Sequence, residues 1–230
     1  MGINDGNNFD SKHFRLQQLA DGVWAAVALD SGGAMANAGI EDLGDRTLVF
    51  DTFMTPQAAD DLRAAVERLT GRPVGWVVNS HWHDDHVRGN QVFAGAPIVA
   101  TARTRELLAE RGPELLTRQR EEGPAYQQRL EAQLEREGDA VKREELARQV
   151  ALGREVLASL PALTPTLPNQ TFDGKVVFHG PRRIAELMTF GGGHTESDAL
   201  LHLPDDGILF TADLVVIDNH PWLGHGDPEH

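Results

Sequence analysis

The strongest constraint on this chain is the junction at residues 74–86. Val74 to Asn79 reads Val-Gly-Trp-Val-Val-Asn, apolar and β-branched enough for a buried strand. It runs almost directly into His81-Trp82-His83-Asp84-Asp85-His86. The hexad is therefore expected on a loop leaving the carboxyl end of a strand, where α/β sheets tend to carry their sites. Three imidazoles and two carboxylates within six residues suit Zn²⁺ and similar borderline metals, which take nitrogen and oxygen donors. His81 and His83 are two apart and can point the same way if the chain is extended. Asp85 and His86 are adjacent, so their side chains diverge. One short loop can thus feed two metals, His81 and His83 to the first, Asp85 and His86 to the second. Trp82 reads as a packing residue and Asp84 as a solvated or bracing one.

The surrounding pattern predicts an α/β chain. Val23 to Leu29, Ala38 to Ile40 and Thr47 to Phe50 read as strands, with a turn at Gly44-Asp45. Thr55 before Pro56 predicts an N-cap, and a helix running to Thr70 that stops at Gly71. A short strand is expected at Pro97 to Ala100. Residues 101–160 break the alternation, being rich in Glu, Arg, Leu, Gln and Ala, all good helix formers. Breakers at Gly112-Pro113, Gly123-Pro124 and Gly138-Asp139 divide this segment into about four expected helices. Leu130, Leu134, Val141, Leu146, Val150 and Leu157 give it an apolar face. It is expected to form a compact helical insertion that covers the site and lines the substrate pocket, or alternatively packs against a second copy as a homodimer. Pro161 to Pro168 reads as a stiff connector. Strand signals return at Lys175 to His179, Ile184 to Thr189, Ala199 to Leu203 and Ile208 to Thr211, with a hairpin turn at 204–207. The expected organisation is one domain over 14–230, an insertion over 101–160 within it, and a flexible arm over 1–13.

A chain of 230 residues can bury a sizeable core. It has no Cys, which excludes a disulfide framework and thiolate ligation. Its formal net charge of −14 gives no basic footprint for nucleic acid. The segment 101–160 is close to charge balance, so the acidic excess falls on the rest. No apolar run approaches the ~20 residues of a membrane span. No secretory signal is visible in the polar N-terminus. The expectations are a small-molecule substrate, no nucleic acid, no membrane and a cytoplasmic location.

Two later motifs join the hexad. Gly191-Gly192-Gly193-His194 sets a histidine after a triplet that can turn sharply. Phe210-Thr211-Ala212-Asp213 ends an apolar strand in a carboxylate, and Leu48-Val49-Phe50-Asp51-Thr52 ends another. Asp51 reads as a residue that orients a ligand rather than binding metal. Together these motifs resemble the metallo-β-lactamase-fold hydrolases of the His-x-His-x-Asp-His type. The resemblance covers roughly residues 18–100 and 168–215.

The resemblance implies an αββα sandwich with a dinuclear centre, most simply two Zn²⁺, with Mn²⁺ or Fe²⁺ as alternatives. It implies His81, His83 and His194 at the first metal, Asp85 and His86 at the second, and Asp213 bridging. A metal-bound hydroxide would attack an ester, lactone, thioester or β-lactam, with Asp85 also orienting it and shuttling a proton. The oxygen-reducing diiron branch has Glu at the position of His83, which favours hydrolysis here. The β-lactamase class with a Cys ligand does not fit a Cys-free chain. Members of this family carry a further metal-binding His on a later strand, so a C-terminally shortened member is expected. His220, His225 and His230 are the candidates to complete the second site. The rival expectation is a non-catalytic or single-metal interaction protein. His13, His179 and His202 read as structural or solvent-facing.

Overall fold

The computed structural model describes residues 9–217, 220 and 222–226. Two β-sheets face one another across an apolar layer. The larger holds seven strands in sequence order: β1 (Phe14–Ala20), β2 (Val23–Ala28), β3 (Ala38–Asp42), β4 (Thr47–Phe50), β5 (Val74–Val78), β6 (Ile98–Thr101) and β7 (Gln170–Phe172). Its first four strands are antiparallel, and β4 to β7 are parallel. The smaller sheet is an antiparallel run of β8 (Lys175–His179), β9 (Ile184–Thr189), β10 (Ala199–Leu203) and β11 (Ile208–Phe210).

Helix α1 (Pro56–Thr70) connects β4 to β5. Its start and stop follow from local chemistry. Thr55 is extended and its side chain accepts from the Ala58 amide, Pro56 opens the helix, and Gly71 closes it in the left-handed region. Its apolar face, Ala58, Leu62, Ala65 and Val66, joins Ile40, Val49 and Val77 in one core on the outer side of the large sheet. The opposite faces of the same strands, Leu48, Phe50 and Val78, meet Leu187, Leu201 and Leu203 of the small sheet in the second core. Strands buried on both faces account for the unbroken apolar runs of β4 and of the end of β5. A parallel βαβ unit is thereby fixed, and its strand ends at 51, 79 and 101 open onto one edge.

After β5 the chain forms one helical turn, α2 (Asp84–Val87), and a 3₁₀ segment over 88–93. The insertion differs from its expectation. It has two helices, α3 (Ala102–Arg136) and α4 (Ala140–Ser159), not about four. Only the Gly138-Asp139 break interrupts it, with Asp139 capping α4 through the amides of Val141 and Lys142. Pro113 and Pro124 lie inside α3. Each follows a glycine, which lacks the Cβ that would clash with the proline ring in a helical backbone. Packing then carries the helix through. The hairpin is held by Leu116 with Leu160 and Leu163, and by Leu130 with Leu146 and Val150. Val141, expected on the apolar face, is exposed.

The described part of the N-terminal arm is docked rather than loose. Phe9 stacks on Phe14, Ser11 donates to Asp61, and the buried ring of His13 accepts from the Gly33 amide. His202 is partnered by Glu186 on the small sheet, and His179 is exposed.

Candidate metal centre

The site is built on Asp51, the residue after β4. Its backbone has φ 62, a left-handed conformation rare for non-glycine residues. It is fully buried, and three groups converge on its carboxylate. The Ser80 amide donates to Oδ1 at 2.8 Å, the Ser80 hydroxyl donates to Oδ2 at 2.7 Å, and His86 Nδ1 lies 2.7 Å from Oδ2. Ser80 Oγ in turn lies 2.9 Å from His81 Nδ1. Since the hydroxyl proton goes to Asp51, His81 Nδ1 is the donor to Oγ. Asp51 therefore fixes His86 directly and His81 through Ser80, leaving the Nε2 atom of each ring for the site. The hexad turn is pressed onto this strand end. The Thr52 amide donates to the His86 carbonyl, and a Cβ on Gly89 would stand 2.0 Å from the Thr52 carbonyl oxygen. Only glycine fits there.

The other ligand candidates arrive from the small sheet. Of the glycine triplet, Gly191 takes a positive φ of 103. The Asp198 carboxylate accepts from the amide and hydroxyl of Thr195, closing the loop that presents His194. Ala212, with φ 45, precedes Asp213 in the 3₁₀ turn Ala212–Leu214 that follows β11. Non-glycine residues in left-handed backbone at both Asp51 and Ala212 mark strain concentrated at this edge.

The nitrogens converge. His83 Nδ1 is 3.1 Å from His81 Nε2 and 2.9 Å from His194 Nε2. Three nitrogens bound tetrahedrally to one ion at ~2.0–2.1 Å would stand about 3.3 Å apart, so the group is nearly of that size. A second convergent group is His81, His86 and Asp213. Asp213 spans the two, with Oδ1 3.4 Å from His86 Nε2 and Oδ2 3.4 Å from His194 Nε2. Asp85 stands 3.6 Å from His86 Nε2, but it is outside both convergent groups. The structure thus brings His81, His83, His86, His194 and Asp213 together, with Asp85 beside them.

Charge and burial fit a cation. His86 Nε2 is buried, and among the described residues it has only the longer contacts to Asp213 and Asp85, at 3.4 and 3.6 Å. Burial opposes a charged ring, yet Asp85, Asp51 and Asp213 outweigh it and hold the His86 pKa well above the ordinary imidazole value. Positive charge is therefore favoured at that point. His81 and His83 are pushed the other way. Burial, then their neighbouring imidazoles, lower His81 well below the ordinary range and His83 to about 3. Both are neutral, the form a metal ligand needs. Burial works to raise Asp213, but its contact with the charged His86 ring, followed by the other imidazoles, prevails and holds it below the usual carboxylate value. The donor set is nitrogen and oxygen only, which suits zinc and its first-row neighbours.

Of the three C-terminal histidines, His230 lies outside the described residues. His220 is exposed and belongs to neither convergent group. His225 does not join His86 and Asp213 at the second group. Its Nδ1 lies 3.0 Å from His83 Nε2, the ring nitrogen turned away from the first group. Ser80 and Trp222, both at the site, carried no sequence signal. Ser80 is one hydroxyl before the hexad, and Trp222 lies in a segment with no periodicity. Trp82 is buried under the Arg111 guanidinium, which sits 5.1 Å above its ring, and Asp84 braces Arg88 at 2.6 Å. Arg111 and Arg103 of α3 also bind Glu196, beside His194, at 2.7 and 2.5 Å. The first turns of the insertion therefore grip both metal-site loops.

A two-sheet α/β fold with imidazoles and a spanning carboxylate at the ends of its strands defines a metal-binding class. The profile of the metallo-β-lactamase superfamily matches residues 32–229, and the chain belongs to that superfamily. Its fold matches a metallo-β-lactamase from Pontibacter korlensis at 19% identity and TM-score 0.64, over 93% of this chain and 79% of that one. It also matches one from Hirschia baltica at 18% identity and TM-score 0.55, over 87% and 71%. DIM-1 metallo-β-lactamase is similar at 15% identity and TM-score 0.60, over 93% and 75%. Membership supports a metal-dependent, hydrolase-like role. Among the described residues no helix is long and apolar enough to cross a membrane.

Proposed function

We propose that this protein is a dinuclear zinc hydrolase acting on an ester, lactone, thioester or β-lactam. The observation that carries the reading is the convergence of His81, His83 and His194, with Asp213 reaching from that group to His86. His81, His83 and His194 would hold one ion, and His86 and Asp213, with Asp85 beside them, the other. Bound zinc would lower the pKa of water from 15.7 to about 7, supplying a nucleophile at neutral pH.

The chain's own residues do the rest. Asp51 and Ser80 keep two of the rings from rotating. Neutral His81 and His83 offer lone pairs with no proton to shed near pH 7. Asp213 is ionised and its side chain is 37% exposed, so this is the side open to substrate. Asp85, less exposed, is the carboxylate placed to take and return a proton.

Substrate selection is assigned to the hairpin. A cavity of about 670 Å³ lies between it and the sandwich, walled by Met35 and Met54 on one side and Leu115, Tyr126 and Val156 on the other. It reaches Asp84, next to His83 and Asp85, and has the size of a small-ligand site. An apolar acyl or ring substituent fits this wall, with Met residues adapting to its shape. The test is turnover of matched esters, thioesters, lactones and β-lactams with added Zn²⁺. The expected result is activity with at least one class, lost in His83→Ala and Asp213→Ala. Activity surviving both substitutions contradicts the reading.

A further inference from the structure

We propose that His225 is a positioning residue for His83, setting by a ring-to-ring hydrogen bond which nitrogen of His83 faces the metal centre. The inference rests on the reading of His81, His83 and His194 as one ligand group.

A ligating imidazole needs its outer nitrogen held, or the ring can turn or shift its proton to the wrong side. The sheet edge meets this need for two rings, through Ser80 at His81 and Asp51 at His86. Among the described residues it offers nothing comparable to His83, which is only partly buried on the outer side of the loop. The partner comes instead from 142 positions downstream, with His225 Nδ1 3.0 Å from His83 Nε2. With Nδ1 of His225 accepting, His83 carries its proton on Nε2. Its Nδ1 lone pair then points at His81 Nε2 and His194 Nε2.

His225 is itself held. Its ring centroid is 4.8 Å from that of Trp82 and 4.6 Å from that of Trp222, so it sits between two indoles. Trp222 also faces His83 at 5.4 Å and His194 at 6.1 Å. One residue further, Gly226 lies against the loop that presents His194. A Cβ there would come within 2.4 Å of the Gly193 carbonyl oxygen. The segment 222–226 is thus keyed to both metal-site loops, and a side chain at 226 would lift it away.

The test is Co²⁺ titration of the metal-depleted protein, read by visible absorption and by competition with a chelator. Three variants are compared: His225→Leu, Gly226→Val, and His225→Asn, whose amide oxygen can take the place of Nδ1. The expected result is that His225→Leu and Gly226→Val weaken the first equivalent about 10-fold and shift the absorption bands, whereas His225→Asn stays within about 3-fold with bands unchanged. Unchanged affinity and bands in His225→Leu overturn the proposal. So does an Asn variant that loses as much as Leu, which assigns His225 to packing. Those results leave the ligand reading standing. A wild-type chain that takes up no Co²⁺ overturns both.

Discussion

The metal-site edge and the helical hairpin are neighbours in the chain and opposites in construction. At the edge, buried polar groups are tied into a chain of hydrogen bonds from Asp51 through Ser80 and His86, backed by apolar cores on both faces of the sheet. In the hairpin, two small apolar clusters hold helices whose surfaces carry exposed ion pairs such as Arg118 with Glu122 and Arg148 with Glu144. A centre that must hold several donors within a few tenths of an ångström needs over-determined geometry. A hairpin whose proposed part is to shape a pocket does not. The comparison predicts that substitutions at the edge cost stability and metal together, and those in the hairpin cost neither in proportion.

The largest effect is expected at Asp51. Asp51→Ala strips a buried acceptor from Ser80 and His86 and should cost about 3 kcal/mol or more, with loss of metal binding. Urea unfolding and metal titration of the same variant check this, and a loss below about 1 kcal/mol would break the comparison. Next come the cores. Leu62→Ala, fully buried on the inner face of α1, should cost about 3–4 kcal/mol, whereas Leu130→Ala in the hairpin should cost about 2. Amide exchange should show the Leu130 loss confined to α3 and α4. Equal losses spread over the whole chain would mean that hairpin and sandwich unfold as one unit.

Acid provides a third probe. His83 has a folded pKa of about 3 against an unfolded value near 6.5. Between these values the unfolded chain binds a proton that the folded chain does not. Stability of the metal-free protein should therefore fall as the pH drops from about 6.5 towards 3, and should not change on this account above 6.5. Urea midpoints along that range, flatter in His83→Ala, test it. A smaller gain is expected from Pro124→Ala, which restores a helical N–H to α3 and should stabilise the hairpin by about 1–3 kcal/mol. Smallest of all, Arg118→Ala should leave the melting temperature unchanged, because the pair it breaks is exposed.

The same contrast explains what the sequence revealed. α1 was legible to the residue because Thr55, Pro56 and Gly71 are local signals. β4 and the four strands of the small sheet were legible as period or apolar runs. β1 was missed because Phe14 to Ala20 is half polar and becomes a strand by pairing with β2. β7 has three residues and exists through its parallel partner β6, some seventy positions earlier. The Gly-Pro pairs in α3 mislead for the converse reason, since packing across the hairpin overrides a local break. At the site, the hexad, His194, Asp213 and the orienting Asp51 were visible because each sits in a local motif, whereas Ser80, Trp222 and the contact of His225 with His83, contributed by hydrogen bonding or by the tail, were not.

The central claim is that these imidazoles and Asp213 hold transition metal, and His81 tests it most directly because it belongs to both convergent groups. The measurement is zinc content per chain after reconstitution and exhaustive dialysis, for the wild type and His81→Ala, with the fold of each checked by circular dichroism. The account predicts about two equivalents in the wild type and under ~0.2 in the variant. A folded wild type that retains less than ~0.2 equivalents, or a His81→Ala chain that binds as the wild type does, would contradict it.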